Sequence, residues 1–315
     1  MRARKMAILK MALPKGHLWK NVNTLLNQAG YGLKIKSERS YIVFSNDPEI
    51  EMKIYRAQNI PPLIEEGKYD LGITGKDWII EHEVDVEELL DLKFGKVNVV
   101  VAIPKKYGIK LKNNTKEAEE EALEEFKKMI EKENKKVIAA SEYENITKKF
   151  IEKKIISDGL AYRFIRSYGA TEAFIGDVDL IVECTETGET LEKNDWEIIY
   201  TLFSSTARLI ANKKSLKDPL KMEKIYGLII VLKGSMNAER LKLLKMNVPE
   251  YALNEVIKTL PAMKSPTISS LHGGNGKWYA VETVVPENDI VRLIPLLKKK
   301  GATDIIELDL KKAIE

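Results

Sequence analysis

The 315-residue chain has one cysteine, Cys184, and three histidines, His17, His82 and His272. A single cysteine excludes a disulfide framework or a multi-cysteine metal centre within the chain. The histidines lack metal-ligand spacing. A reducing cytoplasm is the expected compartment. Charge of one sign is also missing. Against 47 acidic residues stand 51 basic ones, a net +4. No concentrated basic face is expected, and so no nucleic-acid partner. Long apolar runs are missing too. The first, Met6 to Leu13, is interrupted by Lys10 and ends in Pro14-Lys15-Gly16. It is neither a signal peptide nor a membrane span. What is present, 44% hydrophobic and 31% charged residues, suits a folded soluble protein. The length predicts two or three domains.

The chain repeats a strand, a loop and a helix. Met6 to Leu13 predicts a strand. A helix over Asn21 to Ala29 follows, with Val22, Leu25, Leu26 and Ala29 on one face and Gly30 as its stop. Glu51 to Tyr55 predicts a strand ending at Arg56. Asp70 to Asp77 predicts a strand running into a turn, where Gly72 and Gly75 free the backbone amides and Thr74 to face a ligand. The apolar run Asn98 to Ile103 suits a central strand buried on both faces. The Glu/Lys-rich stretch up to Lys136 predicts a solvated helix capped by Thr115, with Ala118, Ala122, Leu123, Phe126, Met129 and Ile130 inward. Val137 opens a second series, continuing to about residue 190. The whole is α/β layered. Beyond a polar stretch, 212–219, come expected strands at 227–233, 243–248, 267–269, 278–285 and 305–308 and helices at 251–260 and 290–300. This is close to βαββαβ, a ferredoxin-like sheet with a regulatory or oligomerising role.

The stretch Asp179 to Leu191 carries the most chemistry. Leu180, Ile181 and Val182 form a buried strand. Thr185, Thr187 and Thr190 then supply hydroxyls, and Gly188 allows close backbone approach. Asp179 and Glu183 are candidate acceptors for sugar hydroxyls. Locally the pattern fits a phosphorylated-sugar cradle and equally an ordinary capped turn. Lys15 and Arg56 likewise fit phosphate contacts or solvated surface positions.

Several separated segments agree in order with one family: Leu13 to Leu18, Arg56 to Pro61, Asp70 to Asp77, Asp91 to Gly95, Asp179 to Leu191, Ser205 to Asn212, and Pro261 to Thr267. The chain resembles ATP phosphoribosyltransferase in its long form. The resemblance implies transfer of the phosphoribosyl group from phosphoribosyl pyrophosphate to N1 of ATP, the first step of histidine biosynthesis, with Mg2+ and with L-histidine as inhibitor. It implies a two-lobed catalytic part like a periplasmic binding protein, a ferredoxin-like regulatory domain, and homo-oligomers (dimers and hexamers). The expected division is 1–104 with 195–217 for one lobe, 105–194 for the other and 218–315 for the regulatory domain.

By the same resemblance, Thr185, Glu186, Thr187, Gly188, Glu189 and Thr190 hold the donor's 5-phosphate, and Asp179 and Glu183 lie near ribose and Mg2+. Lys15, Gly16, His17, Arg56, Gly72, Thr74 and Gly75 form the nucleotide and pyrophosphate side. Asn247, Met263, Thr267 and Val284 fall at the histidine pocket. Three positions depart from the family pattern. His17 replaces an arginine and lacks its bidentate fork, Asn59 replaces an aspartate, and Glu183 an aspartate. No acid/base pair is expected, because N1 of adenine is already a nucleophile. A purine-salvage-type phosphoribosyltransferase and a two-lobed small-molecule binder are the rival readings. Against the former, Glu183 is followed by Cys184 rather than a second acid, and a third domain is present.

Overall fold

The computed structural model describes residues 9–37, 40–133, 136–156, 161–261, 265–272 and 276–314. In chain order the strands are β1 (Leu9–Pro14), β2 (Lys34–Ile35), β3 (Ile42–Phe44), β4 (Ile50–Tyr55), β5 (Leu71–Gly75), β6 (Glu87–Asp91), β7 (Val97–Pro104), β8 (Val137–Ser141), β9 (Tyr162–Arg166), β10 (Leu180–Thr185), β11 (Trp196–Ser205), β12 (Ala207–Ala211), β13 (Leu241–Pro249), β14 (Thr267–Ser270), β15 (Trp278–Pro286) and β16 (Thr303–Asp309). The helices are α1 (His17–Gln28), α2 (Ile60–Glu65), α3 (Lys76–His82), α4 (Lys116–Glu133), α5 (Glu144–Phe150), α6 (Glu189–Lys193), α7 (Pro219–Ala238), α8 (Leu253–Thr259) and α9 (Ile290–Lys299).

Three sheets form. The first runs β2-β3-β4-β1-β5-β12-β6 and the second β11-β7-β10-β8-β9. β1 lies parallel to β4 and β5, and β8 parallel to β10 and β9. These two sheets are the cores of two α/β lobes. β7 is buried on both faces as expected. Val99, Val101 and Ile103 enter one apolar cluster, with Phe126 and Ile130 of α4, and Val100 and Ala102 enter the other. Thr115 caps α4, its hydroxyl accepting the Ala118 N–H at 3.3 Å.

Sheet membership differs from the expected lobe boundaries at two strands. β7 and β11 fall within 1–104 and 195–217, assigned to the first lobe, yet they pair with each other and lie in the second sheet. A continuous apolar run tells that a strand is buried on both faces, not which neighbour it pairs with. The chain therefore passes between sheets at residues 92–96 and again at Thr206.

The third sheet, β14-β15-β13-β16, is antiparallel throughout its pairings. α8 and α9 cover one face through Val256, Leu293 and Leu297, packed on Leu244, Met246, Val248, Val281 and Val285. This is the expected βαββαβ ferredoxin-like order. One expected strand is a helix. Residues 227–233 lie inside α7, whose buried Ile225, Leu228, Leu232 and Ser235 recur at helical spacing. Periodicity cannot separate a short apolar strand from a buried helix segment. α1 also begins earlier than expected, at His17, directly after Gly16 with its φ of +84°. Among the described residues, no helix is long and apolar enough to cross a membrane.

Candidate functional site

Ligands of α/β sheets bind beyond the carboxyl ends of parallel strands. The carboxyl ends of β1, β4 and β5 carry Lys15, Arg56 and Gly75. Those of β8 and β10 carry Glu142, Tyr143 and the loop from Thr185. These ends share a cleft made of three adjoining cavities of about 480, 450 and 440 Å³. The first is lined by Lys15, Gly16, His17, Arg56, Gly75 and Cys184, among others. The second holds Arg56, Asn59, Trp78, Arg166 and Tyr168. The third holds Glu183, Thr185, Glu186, Thr187 and Thr190. Glu142 lines all three.

In the threonine loop, the Thr185 hydroxyl accepts the Gly188 N–H at 2.8 Å and the Thr187 hydroxyl accepts the Glu189 N–H at 3.3 Å. Gly188 has φ +84°, the left-handed region that glycine adopts without strain. Glu189 is exposed and pairs with Lys193 at 3.4 Å. The loop thus presents short hydroxyls and backbone amides in a tight turn, with Leu191 buried beneath it.

Both acids expected near ribose are described. Glu183 is at the cleft. Burial pushes its carboxyl up, hydrogen bonds from the Thr171 hydroxyl and the Cys184 N–H pull it back, and the nearby Glu142 charge pushes it up again. Asp179, also expected near ribose and metal, stands at the opposite end of β10 from the threonine loop. It precedes β10, so the strand's length, about 20 Å for six residues, separates it from Thr185. Its carboxylate accepts the Tyr107 hydroxyl at 2.7 Å and the Ile138 N–H at 2.9 Å, fastening β8 and β10 at their amino ends.

The opposite wall sorts in the same way. Lys15, Gly16, His17, Arg56 and Gly75 reach the cleft. Thr74 does not offer its side chain. It is 0% exposed and its hydroxyl donates to the Ala57 carbonyl at 2.9 Å. Gly72 lies under α2, where a β-carbon would come within 2.5 Å of Ile60 Cγ2. Its glycine serves packing.

Residue reading missed the group that joins the lobes. Asp77 is buried. Its carboxylate accepts the Ser205 hydroxyl at 2.5 Å and the Tyr143 hydroxyl at 2.8 Å. Burial, then the Asp77 charge, pushes the Tyr143 phenol far up, so it stays a donor. Trp78 stacks on Tyr143 with ring centroids 4.6 Å apart and planes at 31°. Glu81, also buried, accepts the Asn145 and Ile146 N–H groups at 3.0 Å each and so caps α5 of the other lobe. The available signal was positional: Ser-Glu-Tyr directly follows a parallel strand, where ligand residues concentrate. Cys184 lines two of the cavities. Burial, followed by the Glu183 charge, pushes its thiol to about 12.

A hard divalent cation takes oxygen ligands, and magnesium keeps waters and substrate phosphates in its shell. Among the described residues no three of His, Cys, Asp and Glu converge as a metal cage. Glu183 supplies one carboxylate beside the threonine loop. A single carboxylate there fits a cation brought by a phosphate-bearing substrate, not one held by protein alone.

In the third sheet, Asn247 and Val284 stand on the face away from the helices. Asn247 donates to Asp304 at 2.9 Å. Thr267 on β14 is exposed and lies opposite Glu282. Met263 lies outside the described residues.

A family model described as ATP phosphoribosyltransferase matches residues 56–233, and one for that family's C-terminal domain matches 238–312. An ATP phosphoribosyltransferase of Pelotomaculum thermopropionicum is 40% identical over 312 residues, covering 97% of this chain and 99% of that protein. One of Chlorobium phaeovibrioides is 38% identical over 314 residues, 98% of each. A solved structure, titled as an ATP phosphoribosyl transferase (HisG:HisZ) complex from Thermotoga maritima, superposes with a TM-score of 0.55 at 25% identity, covering 71% of this chain and 95% of that one. A model matched over more than half of the length, together with near-full-length relatives, shows that this chain belongs to the ATP phosphoribosyltransferase family.

Proposed function

We propose that this chain transfers the 5-phosphoribosyl group of phosphoribosyl pyrophosphate to N1 of ATP and releases pyrophosphate, the first step of histidine biosynthesis. The observation that carries this reading is the cleft itself: a threonine/glycine loop faces Lys15 and Arg56, with Glu142 common to every part. Thr185 to Thr190 take the 5-phosphate, and Glu183 the ribose hydroxyls. Lys15 and Arg56 take the pyrophosphate, with Gly16 and Gly75 permitting close approach.

In the reaction the N1 lone pair forms a bond to C1, and the bond from C1 to the pyrophosphate oxygen breaks. The electron pair leaves on pyrophosphate, and charge of oxocarbenium type develops at C1. Cationic groups facing the leaving group stabilise it. Mg2+, when bound to the donor, neutralises pyrophosphate charge. No protein base is needed at N1. The chain's work is to hold two anionic substrates in register.

The catalytic part divides into 9–91 with 207–221 and 97–205, with a regulatory domain from about residue 238, in accord with strand pairing and the second family match. L-Histidine binds that domain at Asn247, Met263, Thr267 and Val284 and lowers the rate. The protein works as a homo-oligomer in the cytoplasm. Incubation with ATP, phosphoribosyl pyrophosphate and Mg2+, followed by the absorbance of phosphoribosyl-ATP, tests the reaction. Product formation equal to pyrophosphate release is expected, and its absence overturns the reading. Synthesis unaffected by L-histidine overturns the regulatory assignment alone.

A further inference from the structure

We infer that Glu142 reads the exocyclic amino group of adenine, with Trp78 as the flat wall on which the purine rests. This inference rests on the reaction proposed above and names the residues that select its acceptor base.

The placement comes from the cavities. The donor's sugar belongs with the threonine loop in one cavity, and its pyrophosphate with Lys15 and Arg56 in another. C1 connects those two parts, so N1 must be delivered where the cavities meet. Glu142 is at that junction. The ring carbon next to N1 bears the amino group, so a base placed for attack brings two N–H donors to the same point.

Glu142 is suited to accept them. It is half-buried, and its carboxylate makes no hydrogen bond with a described residue. Glu81 and Asp77, its acidic neighbours around the cleft, are both spent on structural hydrogen bonds. Burial pushes the Glu142 carboxyl up, and the Arg56 and Arg166 charges draw it back. Alkylation at N1 leaves a positive charge spread toward the amino group, which a carboxylate matches.

Trp78 lines the two cavities flanking Glu142 and is braced from behind by Tyr143. Stacking of a base on an aromatic ring contributes on the order of 1–3 kcal/mol and does not distinguish bases. Trp78 therefore supplies affinity and Glu142 the choice of base. Inosine carries an oxygen in place of the amino group. It would set an acceptor against a carboxylate, a mismatch that polar sites reject strongly.

The test compares ATP with inosine triphosphate on the full-length protein. Titration calorimetry without the donor measures binding, and the ratio of the two dissociation constants measures discrimination, because N1 of inosine carries a proton and is a poor nucleophile whatever faces it. The wild type is expected to favour ATP by roughly 100-fold or more. Glu142→Gln, whose amide can also donate, should cut that ratio by about tenfold or more, with the KM for phosphoribosyl pyrophosphate and the melting temperature unchanged. Trp78→Phe should retain ATP affinity, and Trp78→Ala should weaken both triphosphates alike. An unchanged ATP preference in Glu142→Gln overturns the assignment. A raised donor KM with that preference intact also overturns it and places Glu142 at the ribose. A wild type that binds ATP selectively but forms no product sinks the reaction and leaves the base assignment standing.

Discussion

Thr74 and Thr190 are candidate ligand threonines with opposite fates. Thr74 donates to the Ala57 carbonyl of a 3-10 turn in the core, while Thr190 is exposed at the cleft. Thr74→Val removes one of the two hydrogen bonds to the Ala57 carbonyl, which keeps the Ile60 N–H, and is expected to cost about 0.5–1.5 kcal/mol in urea unfolding, with substrate KM values close to wild type. Thr190→Val is expected to do the reverse. The KM for phosphoribosyl pyrophosphate rises about tenfold or more, the loss of one charge-assisted hydrogen bond, and the unfolding midpoint stays put. Cys184→Ala should retain turnover, because a thiol pushed to about 12 is not ionised at neutral pH. Steady-state kinetics and resistance of the folded protein to iodoacetamide check this. The segment Asp179 to Leu191 showed its threonines and glycine in the sequence. It could not show that Asp179 faces away, because strand length and the Tyr107 partner, 72 positions away, decide that.

At the scale of elements, two glycines show how turns and packing place the site. Gly188 combines φ +84° with an Ile198 methyl 3.0 Å from where a β-carbon would sit. Gly188→Ala should distort the loop and raise the donor KM more than it lowers stability, by about 1–2 kcal/mol. Gly72 has ordinary backbone angles but no space beneath α2. Elements were legible where their pattern was long. The α4 inner face and the βαββαβ order match the structure because periodicity over a full helix or alternation along a strand is a local signal. The apolar run at 227–233 was not legible as helix, being too short for its period to show, and β7 could not announce its sheet.

At the scale of the molecule, a few buried carboxylates join distant segments. Asp70, 7% exposed, accepts the Lys10 N–H at 2.8 Å and both the Ser215 hydroxyl and the Lys221 ammonium at 2.6 Å. Burial would push its carboxyl up, but the hydrogen bonds from Lys221, Ser215 and Lys10 outweigh that and hold it below the ordinary range. A carboxyl held lower in the folded than in the unfolded chain contributes stability above the unfolded value, about 3.9. That contribution is lost as pH falls through the folded value. Asp70→Asn is therefore expected to be less stable than wild type at pH 7, by about 3 kcal/mol, with the gap closing in denaturant melts as pH falls below about 4. Glu81 works between lobes. Glu81→Ala removes the cap of α5 from across the cleft, so the KM for both substrates should rise together.

The sequence by itself determined the α/β class, the ferredoxin-like third sheet, the threonine/glycine loop and the family, because each is written in local period, turn chemistry or ordered motifs. Only the tertiary structure decided that Glu142, Trp78 and Tyr143 meet Arg56 and Thr185 in one cleft, that Asp77 and Glu81 hold the lobes together, and that Asp179 and Thr74 serve the frame. Those outcomes depend on which strands pair and which buried polar groups must find partners. Such partners lie tens of residues away along the chain, where no local pattern reaches.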